Sequence, residues 1–505
     1  MSEKEKWGSR VGVILVVASG AIGLGNFLRF PGQAAKYGGG AFMIPYIISF
    51  LLLGLPVCLS EWIMGRMASE KGHSSPKVFS YFLSGIPLRI VSTLAILIPV
   101  MIYTYYVFVE AWCLAYAVDF FLGNLDLKAE TISGSTKLAE LHFQKIIGSK
   151  NIGDAFDSKI LPYVFVCYLL NFYLVFRGIS KGLEKFAKFA VPVLLFCSVI
   201  MLVKVFSLEN ISIGLGRMWN PDWSALLQPK VWIAACGQIF FSLSVGFGIV
   251  LTLASYLEKK DDVILSGLSA ASLNEFVEVV FGGLITIPVG FLFLGASVVS
   301  FGTFGMGFIA LPTVFTEMTG GNFFGGIWFS LLFIAAITSS VTMIQPGISF
   351  LEEGFHLKRK KSSVILFVFT FLITLLIVYF NKDLTALDHT DFWVGTFLIF
   401  TLSTIQVLIY GWKLGPEKGQ EEGENGSQIK LPIGFNFIIK YITPLFLLSI
   451  FTAYLIDEDG FRGYLKQMQN GDEKSNIAIS VFLGIILIYF FIYYLVDRTL
   501  KKERL

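Results

Sequence analysis

Twelve stretches of the chain approach or exceed the roughly 20 apolar residues that a membrane-crossing helix needs. They lie at about 11–36, 41–69, 88–122, 160–177, 187–206, 231–256, 263–297, 323–353, 362–381, 392–412, 434–456 and 476–497. The pattern predicts an all-α, polytopic membrane protein, with tilt in the longer spans. Region 298–322 is apolar but interrupted by glycine, and reads as a helical loop that dips back towards the protein. Two spans break the pattern. The first carries Gly20, Gly23, Gly25 and Asn26 in "SGAIGLGNFLRFP", and the sixth carries "FFSLSVGFG" at mid-depth. Four ordinary spans separate them. This predicts one domain, 1–505, built from two five-span halves, 11–206 and 231–412, and two additional helices, 434–497. Each half opens on a broken helix, and interrupted segments at corresponding positions point to a transport site at the repeat interface.

Lipid offers no hydrogen bonds, so unwound backbone survives only where something else satisfies it. Glycine tolerates the dihedrals involved. Opening the first span near residues 20–25 frees carbonyls at the end of its first half and N–H groups at the start of its second. The carbonyls suit a hard cation, and the N–H groups, at a positive dipole end, suit a carboxylate. Asn26 adds a neutral oxygen. Small residues also let membrane helices pack closely. The cluster of Gly20, Gly23, Gly25 and Asn26, echoed by Ser242, Ser244, Gly246 and Gly248, favours a site instead. Further polar residues lie at depth: Asn274, Glu275 and Glu278 in the seventh span, Thr338 and Ser339 in the eighth, and Glu61 and Glu110. Hydroxyls there often bond back to their own helix, whereas buried acids mark function or partner other buried polar groups.

Composition agrees. Of 505 residues 55% are hydrophobic and 15% charged, against about 25% charged in soluble proteins. A net charge of +3 implies no nucleic-acid partner. Lys and Arg gather in alternate loops: Arg66, Lys71, Lys77 and Arg89; Arg177, Lys181, Lys185 and Lys188; Lys358, Arg359, Lys360 and Lys361. The positive-inside rule therefore places both termini in the cytoplasm, for a chain in the bacterial inner membrane. The acidic, glycine-rich run 415–426 reads as a flexible inner linker. Five cysteines lie in apolar runs and suggest neither disulfide nor metal site. "GISKG" matches a hydrolase elbow but has no strand before it and lies in a basic loop, so the chain is not read as an enzyme.

The segments "AIGLGNFLRFP", "GGGAFMIPY", "WIAACGQIFFSLSVGFG", "LSGLSAASLNE" and "TSSVTMIQP" resemble the neurotransmitter:sodium symporter family over nearly the whole chain. The resemblance implies the LeuT fold, with two inverted five-helix repeats and broken first and sixth helices. It implies two sodium ions and no organic cofactor. The first ion would lie between Ala21, Asn26, Ser242, Asn274 and the substrate carboxylate, the second among Ser19, Ile22, Ala335, Thr338 and Ser339. The carboxylate would meet the Leu24 and Gly25 N–H groups and the Tyr106 hydroxyl, and the amine would meet carbonyls near Ala21, Phe241 and Ser242. The substrate side chain would lie among Ile102, Tyr106, Phe241, Ser244, Phe247, Ser339 and Met343. Outer gating is expected from Arg29 with Asp391 and a Tyr106–Phe247 lid, and inner gating from Lys4 with Glu353, near Trp7.

Chloride-dependent relatives have Ser at Glu278, beside a chloride place built from Tyr46, Gln238, Ser242 and Asn274, so Glu278 implies chloride independence. Monoamine-carrying relatives have Asp at Gly23, so an amino acid is expected. The reading is sodium-coupled symport of a neutral, apolar amino acid by alternating access. Another small carboxylate-bearing substrate is the first alternative. A ligand-gated channel is the weaker one, because it needs a continuous polar pore and here the polar residues cluster at one depth.

Overall fold

The computed structural model describes residues 6–503 apart from 149, 158 and 459. Every regular element among the described residues is helical. Among these residues, ten helical segments are long and apolar enough to cross a membrane, and a bent pair, Arg10–Ala21 and Gly25–Lys36, makes an eleventh. One of the ten, Ser297–Glu317, is assembled from four short helical pieces. The Tyr116 hydroxyl, near one end of the third span (Gly85–Leu122), donates to its Phe308 carbonyl at 2.9 Å. Ser135, on the polar helix Ile132–Ile147, donates to its Glu317 at 2.9 Å. Those ties hold it against one end of the helix bundle, as a folded-back loop. With it set aside, the bent first span, the short helix Ile160–Phe176 and the two halves of the sixth span, Pro229–Ser242 and Ile249–Ala254, complete twelve.

The third and eighth spans (the latter Gly321–Gly354) form the buried centre, and both are lined with apolar side chains. Glu110 of the third span is structural here. Its carboxylate accepts from Asn171 at 3.0 and 3.2 Å and from Ser340 at 2.7 Å, joining the third, fourth and eighth spans.

The run 415–426 is not a flexible linker. Pro416–Glu424 is a helix, packed against the second span (Gly39–Met67) and the tenth (Lys382–Leu414). Gly419 and Gly423 are one turn apart and make a face without side chains. A Cβ would meet the Tyr410 hydroxyl at 2.3 Å from Gly419 and the Ile63 Cδ1 at 2.8 Å from Gly423. The fully buried guanidinium of Arg66 binds the segment: Nη1 donates to the carbonyls of Asp261 (2.5 Å) and Asn425 (2.9 Å), and Nη2 donates to that of Glu422. Its Nε lies 3.3 Å from the Glu422 carboxylate. Composition suggested disorder, but the spacing of the glycines and one buried cation order the segment.

Candidate functional site

The first span starts on Ser9, whose hydroxyl accepts the Gly12 N–H at 3.0 Å. Its first half stops at Ile22, which turns extended at φ −68°, ψ 97°. The second half leaves at an angle of 48°. In the sixth span the chain between the halves passes through left-handed backbone at Ser244 (φ 52°), Gly246 (φ 76°) and Gly248 (φ 81°). Glycine is required at the last two, where a Cβ would meet Ser403 Oγ at 1.8 Å and the Ala95 carbonyl at 2.8 Å. Ser244 takes the strained conformation without that excuse, at a cost of about 1–3 kcal/mol. Its hydroxyl reaches the Gly20 carbonyl at 3.4 Å and so links the two breaks. The buried Glu61 carboxylate accepts the Gly246 N–H at 3.1 Å, satisfying unwound backbone that lipid would leave bare.

Two clusters of oxygens flank the breaks. In one, the Asn26 amide donates to Asn274 Oδ1 at 2.9 Å and to Glu278 Oε2 at 3.0 Å, while its own oxygen accepts the Gly23 N–H at 2.8 Å. The Asn274 amide donates to Ser242 Oγ at 2.7 Å, and the Ser242 hydroxyl donates to Glu278. Glu278 also accepts from Gln238 Nε2 at 2.9 Å. The Tyr46 hydroxyl sits between Glu278 Oε1, 2.9 Å away, and the Glu275 carboxylate. Donors from the first, second and sixth spans thus surround one carboxylate, an arrangement built to hold an anion. In the second cluster, Ser339 Oγ lies 3.4 Å from the Ser19 carbonyl and 3.3 Å from that of Ile22. Thr338 Oγ1 lies 2.9 Å from the Ala335 carbonyl. All five groups offer neutral oxygen, which suits a hard cation.

Between the clusters is a cavity of about 10 Å³, lined by Gly20, Ala21, Gly23, Gly25, Tyr106, Phe241, Ser242, Ser244, Phe247, Ser339 and Met343. That is room for about one water, so an amino acid needs the walls to part. No charged side chain lines it. Nine of the residues expected around the substrate meet here. Leu24 lines the larger cavity above instead, and its N–H donates to the Tyr106 hydroxyl at 3.1 Å. Ile102 is fully buried on the third span and lines neither cavity as they stand. Gly20 and Gly23, singled out at the first break, line the smaller cavity as well. A Cβ at Gly20 would meet Thr342 Oγ1 at 2.7 Å, and at Gly23 the Tyr106 hydroxyl at 2.6 Å and Ser339 Oγ at 2.8 Å.

A vestibule of about 430 Å³ lies on the far side of Tyr106 and Phe241, lined among others by Arg29, Tyr105, Asp388 and Asp391. The expected Arg29–Asp391 pair is not formed, because the vestibule separates the two. The Arg29 guanidinium lies 4.5 Å from the Phe241 ring centroid, and Asp391 accepts the Tyr105 hydroxyl at 2.5 Å. The expected Tyr106–Phe247 lid is also corrected. Phe241 lines both cavities and stands between them, while Phe247 lines only the inner one. The opposite side is sealed. The Trp7 indole donates to the Leu253 carbonyl at 3.2 Å, Lys6 pairs with Glu258 at 2.7 Å, and Arg10 with Asp262 at 3.0 Å. Lys4 lies outside the described residues. Glu353 accepts from the His73 and Ser74 backbone N–H groups at 2.8–3.1 Å, with Lys77 Nζ at 4.0 Å.

The profile of the family described as sodium:neurotransmitter symporter matches residues 4–140 and 127–495. An uncharacterized sodium-dependent transporter of Methanocaldococcus jannaschii is 29% identical over 477 residues, 92% of this chain and 93% of that relative. A protein of Drosophila persimilis named sodium-dependent nutrient amino acid transporter 1 is 27% identical over 500 residues, 90% of this chain and 75% of that relative. The crystal structure of MhsT in complex with L-phenylalanine superposes with a TM-score of 0.77 at 25% identity, covering 89% of this chain and 100% of that one.

Proposed function

The chain belongs to the sodium:neurotransmitter symporter family, and from that premise we propose that it carries a neutral amino acid across the membrane together with sodium. It is a multi-pass membrane protein and a sodium-dependent transporter, not an enzyme. The observation that carries the amino-acid reading is the uncharged cavity at two helix breaks, bordered by the Leu24 N–H and Tyr106 hydroxyl and flanked by two oxygen clusters. A biogenic amine would want an acid at the cavity wall, where this chain has Gly23. The names of the relatives support an amino acid: one is called a nutrient amino acid transporter, and MhsT was crystallised with L-phenylalanine.

In this reading Ala21, Asn26, Ser242 and Asn274 hold one sodium together with the substrate carboxylate, and Ser19, Ile22, Ala335, Thr338 and Ser339 hold the other. The Asn26 oxygen, now engaged by the Gly23 N–H, turns to the first ion. The carboxylate enters from the vestibule to the Leu24 and Gly25 N–H groups and Tyr106. Phe241 then closes over it, and Arg29 and Asp391 approach to seal the outer side. Release inward requires the Trp7 segment to part from the sixth span. Both termini are cytoplasmic, in the inner membrane of a bacterial cell, and 11–206 and 231–412 act as the two inverted repeats.

Glu278 supplies the negative charge beside the first ion, so transport proceeds without chloride. Because sodium and the carboxylate share a shell, each raises the affinity of the other by the same factor. Uptake into proteoliposomes of each of the twenty amino acids, in sodium and in potassium, tests the reading. Sodium-dependent accumulation of one or a few neutral amino acids is expected, and Asn26→Ala should weaken sodium and substrate together. Equal amino-acid binding in the two salts would sink it.

A further inference from the structure

A crevice of about 260 Å³ opens between the ninth span (Arg359–Tyr379), the tenth and the twelfth (Glu473–Glu503), away from the transport site. Its walls are apolar, with Leu376 and Ile377 on the ninth span and Ile477 and Ile485 on the twelfth, and it reaches Met101 of the third span. Gly484 leaves the space open. A Cβ there would meet nothing within 4 Å, whereas at Gly54, Gly267 and Gly347 in other spans it would meet a side chain at 2.7, 3.0 and 2.7 Å. Glycine weakens a helix interior, and close helix packing, its usual reason in a membrane, is absent at this position.

The mouth faces the surrounding lipid, where Leu372, Leu376, Leu483 and Leu487 are exposed. The rim carries both signs of charge: Lys382 pairs with Glu473, and Lys474 pairs with Asp383 at 2.9 Å. These two ion pairs stand at the span ends next to the crevice, where a headgroup that itself carries a phosphate and an ammonium can exchange partners with them. The geometry points to a bound phospholipid, with an acyl chain in the crevice and a zwitterionic headgroup at the rim. The crevice also reaches Thr390, whose neighbour Asp391 faces the vestibule. The lipid therefore props the tenth span from behind the outer gate.

Native mass spectrometry of the full-length protein in detergent, titrated with dioleoylphosphatidylethanolamine, tests this. The native protein is expected to retain one such lipid. Gly484→Leu fills the open space and should bind it about tenfold more weakly, the loss of about two buried methylenes. Gly484→Ala adds one methyl group and should retain the lipid nearly as the native protein does. Should Gly484→Leu not yield folded protein, Ser480→Leu at the mouth gives the same reading. Dioleoylphosphatidylglycerol, which lacks the ammonium, should bind more weakly than the ethanolamine lipid. Equal retention by native protein and the filled variant would overturn the assignment. So would a filled variant that changes only the mass of a dimer and leaves lipid retention untouched, which would make the crevice a contact between copies of the chain.

Discussion

One carbon atom added at Gly23 would lie 2.6 Å from the Tyr106 hydroxyl and 2.8 Å from Ser339 Oγ, and both oxygens belong to the site. Gly23→Ala is therefore expected to displace one ligand of the proposed second sodium and the hydroxyl proposed to meet the substrate carboxylate. Overpacking of this kind costs about 1–3 kcal/mol, which predicts at least a fivefold loss of substrate affinity by scintillation proximity. Gly23→Asp adds a second anion beside the carboxylate and should abolish binding. Unchanged affinity in Gly23→Ala would mean that the substrate does not use this wall. Glu278 gives a residue-scale prediction of different form. Removing the carboxylate leaves Tyr46, Gln238, Ser242 and Asn26 as donors without their anion. Glu278→Ser should make uptake chloride-stimulated, measured with gluconate as the substitute anion, while native uptake is indifferent to the exchange. A native protein that stops without chloride contradicts the assignment.

Among the elements, the two broken spans were legible in the sequence because glycine and hydroxyl residues stand out in apolar runs where lipid tolerates no loose backbone. The helix Pro416–Glu424 was not. Its polar, glycine-rich composition matches a linker, and what orders it, Arg66, lies about 350 positions earlier in the chain. The roles of Phe241 and Phe247 were not legible either. They flank an unwound segment with no repeating period, so their spacing does not say which faces the vestibule. Arg66→Met should strip three carbonyls and a carboxylate of a buried cation, a loss of about 3–5 kcal/mol by analogy with broken buried pairs. It should appear as a lower unfolding midpoint and as early proteolysis within 415–428; an unchanged midpoint would show that the helix docks without it. Asp262 makes the companion tie, accepting from Arg10 at 3.0 Å and from the Gln428 N–H at 2.8 Å. Partial burial pushes its carboxyl up, but those donors and the Leu265 N–H outweigh it and hold it below the ordinary range. The tie is therefore in place at neutral pH and is lost only as acid protonates the group below its usual range.

For the whole molecule, the open vestibule makes the Arg29–Asp391 approach, in the proposed cycle, a step and not a fixed contact. Asp391→Asn keeps the cavity and both oxygen clusters. It should leave substrate binding within about threefold of native but cut uptake by about tenfold or more, because closure and not occupancy is impaired. Uptake at the native rate would remove Asp391 from the gate. How the proposed cation places are made has a longer reach. Ser19, Ile22 and Ala335 contribute carbonyl oxygens, and a carbonyl is encoded by no particular codon. Substitution can exchange the side chain above it without deleting the oxygen, provided the helix still breaks at the same place. Inherited change is thus free to redraw the cavity walls, and with them the cargo, while dependence on sodium passes on intact. A lineage can diverge to 29% identity and still be driven by the same ion.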